Sequence, residues 1–166
     1  MINTRLIITG GTIDKRYNPL SGELVFAKTH IPEMLGKARF TGETVLQELF
    51  LKDSLDITED ERDQIVDACI SSEEDRIVIT HGTDTMIDTA QLISRTKQIG
   101  KKTIVLTGSM IPYSMGEGQD ALFNLGTALA YAQALDPGVY VAMNGQAFEP
   151  NNVIKDRTVG LFLAVK

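Results

Sequence analysis

The sequence has little of the material from which disulfides and structural metal sites are built. Its 166 residues include one cysteine, Cys69, two histidines and no tryptophan. A single cysteine cannot form an intrachain disulfide, and two histidines without cysteine partners are a poor basis for a zinc site. The composition therefore predicts no metal, and it is typical of a reducing compartment.

Long hydrophobic runs and positive charge are also scarce. The apolar run 6–8 near the N-terminus is far too short for a signal peptide, and no later stretch approaches the roughly 18 apolar residues of a membrane span. Sixteen Lys and Arg against 22 Asp and Glu give a net charge of −6, which disfavours binding to nucleic acids. We expect a compact cytoplasmic protein with neither a membrane nor a nucleic-acid partner.

Short apolar segments recur along the chain and predict buried strands. Residues 6–8, 77–79, 104–106 and 139–143 are rich in β-branched side chains and are bounded by glycine, serine, asparagine or charged residues. Residues 45–51 are interrupted by polar side chains, so they are interpreted either as an edge strand or as part of a helix.

Helical patterns fall between these segments. Thr58 and Glu61 have the spacing of a capping box at the start of one helix, and Asp84 is predicted to cap or open a second. A third helix is predicted to end before Pro137. Such alternation indicates an α/β fold: an open, mostly parallel, doubly wound sheet in three layers, of the flavodoxin or Rossmann type, in a single domain over residues 1–166.

The predicted strand ends combine glycines with hydroxyl side chains. The sequences TGGT at 9–12, THGTDT at 80–85 and TGS at 107–109 each follow an apolar run. Ligands of open α/β sheets bind at the carboxyl ends of the strands. The phosphate-binding patterns GxxxxGK[ST] and GxGxxG and the serine elbow GxSxG are all missing, so a threonine nucleophile is the mechanism that this pattern favours.

The motifs occur in an order that resembles a known family. The sequences TGGTI at 9–13, THGTDT at 80–85, IVLTGSM at 104–110, DALFNL at 120–125 and VIK at 153–155 are similar to those of the bacterial-type L-asparaginase family over nearly the whole chain. The resemblance implies an amidohydrolase that converts L-asparagine to L-aspartate and ammonia through an acyl-enzyme. It also implies glutamine as a slower substrate and no metal or organic cofactor.

The resemblance implies a role for individual residues. Thr12 would be the nucleophile, Ser54 would hold the substrate's α-carboxylate, and Asp84 would hold its α-ammonium. The base would be either Lys155 or Tyr17, whose neighbouring turn at residues 18–22 predicts a hairpin or a mobile loop that could act as a lid. The catalytic set is Thr12, Tyr17, Thr83, Asp84 and Lys155, and the substrate-binding set is Gly11, Asp53, Ser54, Gly82, Thr83 and Asp84.

The chain departs from the family pattern in two respects. Leu55 stands where a glutamine commonly accompanies the serine. Family members continue into a smaller C-terminal domain that supplies an acidic substrate contact, so the chain resembles a short, one-domain form, and we expect a homo-oligomer, either dimer or tetramer. Two other functions stay open: a catalytically weak aspartate- or asparagine-binding regulatory module, and the ammonia-producing component of a tRNA-dependent amidotransferase. His81 is expected to satisfy backbone hydrogen bonds rather than bind a metal, and Cys69 to lie in the core.

Overall fold

The computed structural model of the chain describes residues 3–116 and 120–165. The strands within them are β1 (Asn3–Gly10), β2 (Arg16–Asn18), β3 (Glu23–Val25), β4 (Glu43–Lys52), β5 (Arg76–Thr80), β6 (Thr103–Thr107), β7 (Gly138–Met143), β8 (Gln146–Phe148), β9 (Val153–Asp156) and β10 (Leu161–Ala164). The α-helices are α1 (Ile31–Lys37), α2 (Glu59–Ser71), α3 (Met86–Arg95) and α4 (Ala121–Ala134).

The central sheet has six strands in the order β4–β1–β5–β6–β7–β8. Neighbours from β4 to β7 are parallel, and β8 pairs antiparallel with β7 at the end of the sheet. Strands β2 and β3 form one separate hairpin, and β9 and β10 form another. The predicted open, mostly parallel α/β sheet is confirmed.

Side chains alternate between the two faces of this sheet, and both faces are buried. Ile7 and Ile79 face the core beneath α2 and α3, whereas Ile8 and Val78 face the core that contains residues of α1 and α4. Burying each large aliphatic side chain stabilises the fold by about 1.5–3 kcal/mol relative to leaving it exposed. Helices therefore cover the sheet on both sides, as the doubly wound prediction requires.

The order of the strands identifies where a ligand site belongs. β4 lies on one side of β1, and the next strand in the chain that joins the sheet, β5, lies on the other. At such a reversal the connections leave from opposite faces, and a crevice opens beyond the carboxyl ends of the two strands. In this chain that crevice lies beyond Gly10 and Thr80, where the glycine and threonine motifs stand.

For two segments, residues 45–51 and 18–22, the sequence allowed more than one local structure, and the structure shows which one forms. The segment 45–51 belongs to β4, an edge strand that pairs with β1 alone. The turn at residues 18–22 closes the β2–β3 hairpin, where the Leu20 amide donates to the Asn18 side-chain oxygen over 3.0 Å and Gly22 has a φ of 72°.

The helix starts were predicted with mixed success. The capping box is confirmed, because the Glu61 amide donates to Thr58 Oγ1 at 3.2 Å and the Thr58 amide donates to Glu61 Oε2 at 3.0 Å. The prediction that Asp84 caps or opens α3 was wrong: the helix starts at Met86 and Thr85 precedes it without a side-chain cap. The Asp84 carboxylate is instead drawn into an ion pair with a lysine. No described helix is both long enough and apolar enough to cross a membrane.

Candidate active site

Two glycines bring the ends of β1 and β5 into direct contact. Gly11 has a φ of 79° and a ψ of 179°, a conformation open to glycine alone. A Cβ atom placed on Gly11 would lie 2.5 Å from the Gly82 nitrogen. The loop that carries Thr12 therefore lies directly against the loop that carries Thr83 because neither glycine has a side chain.

The Gly11 amide does not point to the crevice as a free donor. It donates to the Lys52 carbonyl oxygen over 2.8 Å, which fastens the start of the glycine loop to the end of β4. The Gly11 N–H is therefore not available to stabilise a reaction intermediate, since its hydrogen is already bonded to a carbonyl oxygen.

Lys155 joins the predicted catalytic residues of the second loop. Its ammonium donates to Thr83 Oγ1 at 2.8 Å and to Asp84 Oδ1 at 2.8 Å. Lys155 lies on β9, and its side chain is only 11% exposed. A hydroxyl, a carboxylate and an ammonium thus meet at one partly buried point, which is the combination that general acid–base chemistry needs.

Asp84 is held in its ionised form by the cations around it. The Lys155 hydrogen bond is the main reason that the pKa of Asp84 lies below its usual value, and the charges of Lys155, Arg157 and Lys15 act in the same direction against the effect of burial. Arg157 Nη1 lies 3.2 Å from Asp84 Oδ1, but its side chain is 67% exposed. The carboxylate is therefore available as a negative charge at the crevice at neutral pH.

Ser54 lies on the other side of the glycine contact. A Cβ atom on Gly82 would lie 2.6 Å from Ser54 Cβ, so the serine packs directly on the glycine backbone. Ser54 Oγ accepts from the Thr85 amide at 3.3 Å, and the Ser54 carbonyl accepts from Thr85 Oγ1 at 2.9 Å. These contacts place Ser54 in the same cluster as Thr83.

Asp53 and Lys15 form an ion pair beside Ser54. The Lys15 ammonium bonds Asp53 Oδ2, and the two residues come from the segments that follow β1 and β4. Asp53 immediately precedes the short 3₁₀ turn Ser54–Asp56, and Lys15 immediately follows the 3₁₀ turn Thr12–Asp14. The pair therefore joins the threonine loop to the serine turn.

Tyr17 stands apart from this cluster. It lies on β2 opposite Leu24, and 55% of it is exposed. Among the described residues, its hydroxyl has no hydrogen-bond partner. The structure therefore brings together the predicted residues of the glycine loops, Ser54, Asp84 and Lys155, and it leaves Tyr17 on the outer hairpin.

His81 supports the Gly82 backbone from beneath. Its Nδ1 lies 2.8 Å from the Gly82 carbonyl oxygen and its Nε2 lies 2.9 Å from Thr89 Oγ1, which in turn accepts from Arg62. A carbonyl can only accept, so Nδ1 carries the proton. Complete burial lowers the pKa of His81 to about 4. The expectation that His81 satisfies a backbone hydrogen bond is confirmed.

The loop after β6 closes the crevice near Thr83. Asp120 accepts from the amides of Met110 at 2.8 Å and Ile111 at 3.1 Å, and its carboxylate also accepts from the Asn124 side chain at 3.1 Å. The Met110 sulfur, held in this way, lies 3.6 Å from Thr83 Oγ1. Among residues 3–116 and 120–165, no group of three or more His, Cys, Asp or Glu side chains is arranged to hold a metal ion.

Comparison of the sequence with models of known protein families identifies the family of this chain. The sequence profile described as "Asparaginase, N-terminal" matches residues 3–162. The chain belongs to the asparaginase family. The motif resemblance is thereby confirmed over almost the entire sequence.

Individual asparaginases are similar to the chain in sequence and structure. The "L-asparaginase" of Thermococcus kodakarensis is 33% identical over 156 residues, which cover 92% of this chain and 47% of that protein. The "Glutaminase-asparaginase" of Acinetobacter glutaminasificans is 31% identical over 169 residues, covering 92% of this chain and 49% of that protein. The solved structure of the thermostable L-asparaginase from Thermococcus kodakarensis superimposes with a TM-score of 0.84 at 31% identity, covering 99% of this chain and 51% of that one. The chain therefore spans about half the length of the relatives that it matches.

Two charged residues of this asparaginase-family site were not predicted. Arg157 follows Lys155 by two positions, and side chains two apart on an extended segment lie on the same face, so the spacing could have indicated a second cation near Asp84. Lys15 carries no comparable signal, because its partner is 38 residues away and on a different loop.

Proposed function

We propose that the chain hydrolyses L-asparagine to L-aspartate and ammonia. The observation that carries this proposal is the cluster in which Lys155 donates to both Thr83 and Asp84 at 2.8 Å, next to the Gly11–Gly82 contact that brings the loop of Thr12 alongside. Membership of the asparaginase family supports the same reaction. The proposed reaction uses no metal, because the cluster supplies a hydroxyl group, a carboxylate and an ammonium group.

The proposed reaction begins with attack by Thr12. Its hydroxyl oxygen bonds to the side-chain amide carbon of asparagine, the tetrahedral intermediate collapses, and the amide nitrogen leaves as ammonia after it takes up a proton. Water then attacks the resulting ester and releases L-aspartate and the free threonine. We assign stabilisation of the developing oxyanion to the Thr83 hydroxyl, and the loss of one such donor typically lowers the rate about a hundredfold to a thousandfold.

We assign the base to Lys155 rather than to Tyr17. Lys155 contacts Thr83 directly, whereas Tyr17 lies mainly in solvent. In the free protein, the negative charge of Asp84 is shared with the Lys155 ammonium, whose Nζ lies 2.8 Å from Asp84 Oδ1. The α-ammonium of the substrate, on binding to Asp84, would share that negative charge and release Lys155 to accept the Thr12 proton through the Thr83 hydroxyl. Closure of the β2–β3 hairpin would bring Tyr17 over the bound substrate.

The experiment that tests the proposal is ammonia release from L-asparagine by the purified protein. We expect turnover by the wild type and a loss of at least about a hundredfold in both Thr12→Ala and Thr83→Val, in line with the usual cost of removing a nucleophile or an oxyanion donor. Rapid acid quench followed by peptide mapping should find the aspartyl ester on Thr12. An ester on Thr83 would exchange the two roles, and a folded wild type without turnover would refute the proposal.

The proposed substrate range includes L-glutamine as a slower second substrate. The Acinetobacter glutaminasificans relative is named a glutaminase-asparaginase. Glutamine is one methylene longer than asparagine, and a pocket usually discriminates such a difference by about 10-fold to 200-fold. Ammonia release from both amino acids at equal concentration measures the ratio.

We also propose that residues 1–166 act as one catalytic domain in a cytoplasmic homo-oligomer. Both hydrophobic cores draw on strands of the same six-stranded sheet, which supports one domain. The exposed apolar side chains of the β9–β10 hairpin, among them Ile154 and Leu161, support self-association. The buried, unpaired Cys69 is compatible with the cytoplasm. Light scattering during gel filtration gives the number of subunits.

A further inference from the structure

The Lys15–Asp53 ion pair lies next to Ser54, the residue proposed to hold the substrate's α-carboxylate. Asp53 is the residue before Ser54, and Lys15 comes three positions after Thr12. The side chains are 18% and 35% exposed, respectively, so the pair is partly shielded from water. It is thus better shielded than a fully exposed surface ion pair, which contributes little.

Neighbouring residues hold the Lys15 backbone, and Asp53 and Phe26 lie beside its ammonium. The Lys15 amide donates to the Thr12 carbonyl at 3.1 Å, and the Lys15 carbonyl accepts from Ser114 Oγ at 2.8 Å. Its Nζ atom lies 5.6 Å from the centroid of the Phe26 ring, on the chain leaving β3. A cation fixed in this way is available before any substrate arrives, and it loses little side-chain freedom on binding.

Charge balance at Ser54 requires such a cation. If Ser54 holds the α-carboxylate of asparagine, the neighbouring Asp53 carboxylate would repel it, since like charges within about 4–6 Å disfavour one another. Lys15 neutralises Asp53. Its charge also contributes, after those of Lys155 and Arg157, to holding the pKa of Asp84 below its usual value, so its field extends into the crevice.

We propose that Lys15 is a positioning residue that sets the specificity for amino acids with a free α-carboxylate. It acts through Asp53, whose repulsion of the substrate it removes, and through its own positive field at Ser54. The inference rests on the proposed function. Lys15 would therefore favour ligands with a free α-carboxylate over ligands whose α-carboxyl is an amide or part of a peptide bond, since the binding of the latter gains nothing from its charge.

The test compares Lys15→Met, Asp53→Asn and the double variant. We expect Lys15→Met to raise KM for L-asparagine and Kd for L-aspartate about tenfold, as one unpaired like charge at short range would, while kcat changes by less than about twofold. The double variant should recover KM to within about threefold of the wild type, because the neutral amide that replaces the Asp53 carboxylate needs no counter-charge. Asp53→Asn alone should lower KM, because it removes the charge that repels the substrate carboxylate while the Lys15 charge stays.

Two controls separate charge from structure. Lys37→Met breaks the exposed Lys37–Glu33 pair of α1, whose atoms are 2.7 Å apart, and it should leave KM and Kd unchanged. L-Aspartate α-amide, which lacks the α-carboxylate charge, should bind the wild type and Lys15→Met equally in calorimetry. If the pair were merely a clamp between two loops, both single variants and the double variant would lose affinity alike, and this result would overturn the inference.

Aspartate binding is measured without turnover, so the two proposals fail separately. Ammonia release by the wild type with no Lys15 effect on KM or Kd overturns the inference alone. No ammonia release, combined with aspartate binding that weakens in Lys15→Met and recovers in the double variant, overturns the proposed reaction alone. A folded wild type that neither releases ammonia nor binds aspartate overturns both.

Discussion

The ammonium of Lys155 donates a hydrogen bond of 2.8 Å to the hydroxyl of Thr83, a residue 72 positions earlier in the chain. The two residues come from different sheets: Thr83 follows β5 of the central sheet, whereas Lys155 lies on the β9–β10 hairpin. Their meeting depends on the packing of that hairpin, in which Val153 and Phe162 join the core beneath α2 and α3.

Removing the Lys155 ammonium should abolish most of the proposed activity while the protein stays folded. We expect Lys155→Met to lower kcat about a hundredfold to a thousandfold, because it removes the cation from Thr83. Ammonia release measures the effect. Arg157→Gln is the matched control: its side chain is 67% exposed and forms an ion pair with the same carboxylate, so we expect less than about a threefold change. Equal losses in the two variants would contradict the assignment.

An alanine at Gly11 should destabilise the protein and remove its activity. The change combines a backbone conformation that costs about 1–3 kcal/mol for other residues with a Cβ atom 2.5 Å from the Gly82 nitrogen. Urea unfolding and ammonia release measure the two effects. Gly100→Ala isolates the backbone cost, since Gly100 has a φ of 68° but open space around it. If Gly100→Ala lost as much activity, the Gly11–Gly82 contact would not be the cause.

His81 should make the free energy of unfolding depend on pH between about 6.5 and 4. Burial lowers the pKa of the folded-state imidazole to about 4, so the unfolded chain takes up a proton at higher pH than the folded protein does. The stabilisation is complete above about pH 6.5 and is lost as the pH falls, by roughly 3 kcal/mol in all. Urea titrations at several pH values measure it. The slope should flatten in His81→Gln, and an unchanged slope would rule out His81 as its source.

The Cys69 thiol should be unreactive in the folded protein. It is completely buried in the core, and burial raises its pKa to about 12, so the fraction of thiolate at pH 8 is about a thousandfold below that of an exposed cysteine. A chromogenic disulfide reagent should label it at the rate of unfolding and quickly in urea. Rapid stoichiometric labelling with unchanged circular dichroism would show that the thiol is accessible in the native state.

Much of the sheet could be predicted because its strands are buried on both faces. Segments such as 77–79 and 104–106 are continuous apolar runs made mostly of β-branched residues, which favour strands. The Thr58–Glu61 capping box depends only on residues three apart. Helix α1 went unnoticed because seven residues that include a proline and a glycine show no clear period.

The site could be predicted only where its signals are local or belong to a family pattern. The glycines and threonines of the two strand ends are contiguous motifs. By contrast, the capping role expected of Asp84 was wrong because an ion pair with a residue 71 positions away overrides the local preference. Lys15 likewise pairs with Asp53, a residue 38 positions away, and the sequence around either residue gives no sign of the other. Nothing in a short window reports such partners.

The hairpin that carries Lys155 also sets how the proposed activity should be lost under stress. Its attachment includes the Phe162 amide, which donates to Asn144 Oδ1 over 2.9 Å, and the burial of Phe162 itself. A two-stranded ribbon is marginally stable alone and can detach at a lower free-energy cost than the central sheet unfolds. Mild denaturant should therefore abolish ammonia release reversibly while most of the secondary structure persists. The midpoint of inactivation should come at a lower urea concentration than the midpoint of unfolding measured by circular dichroism.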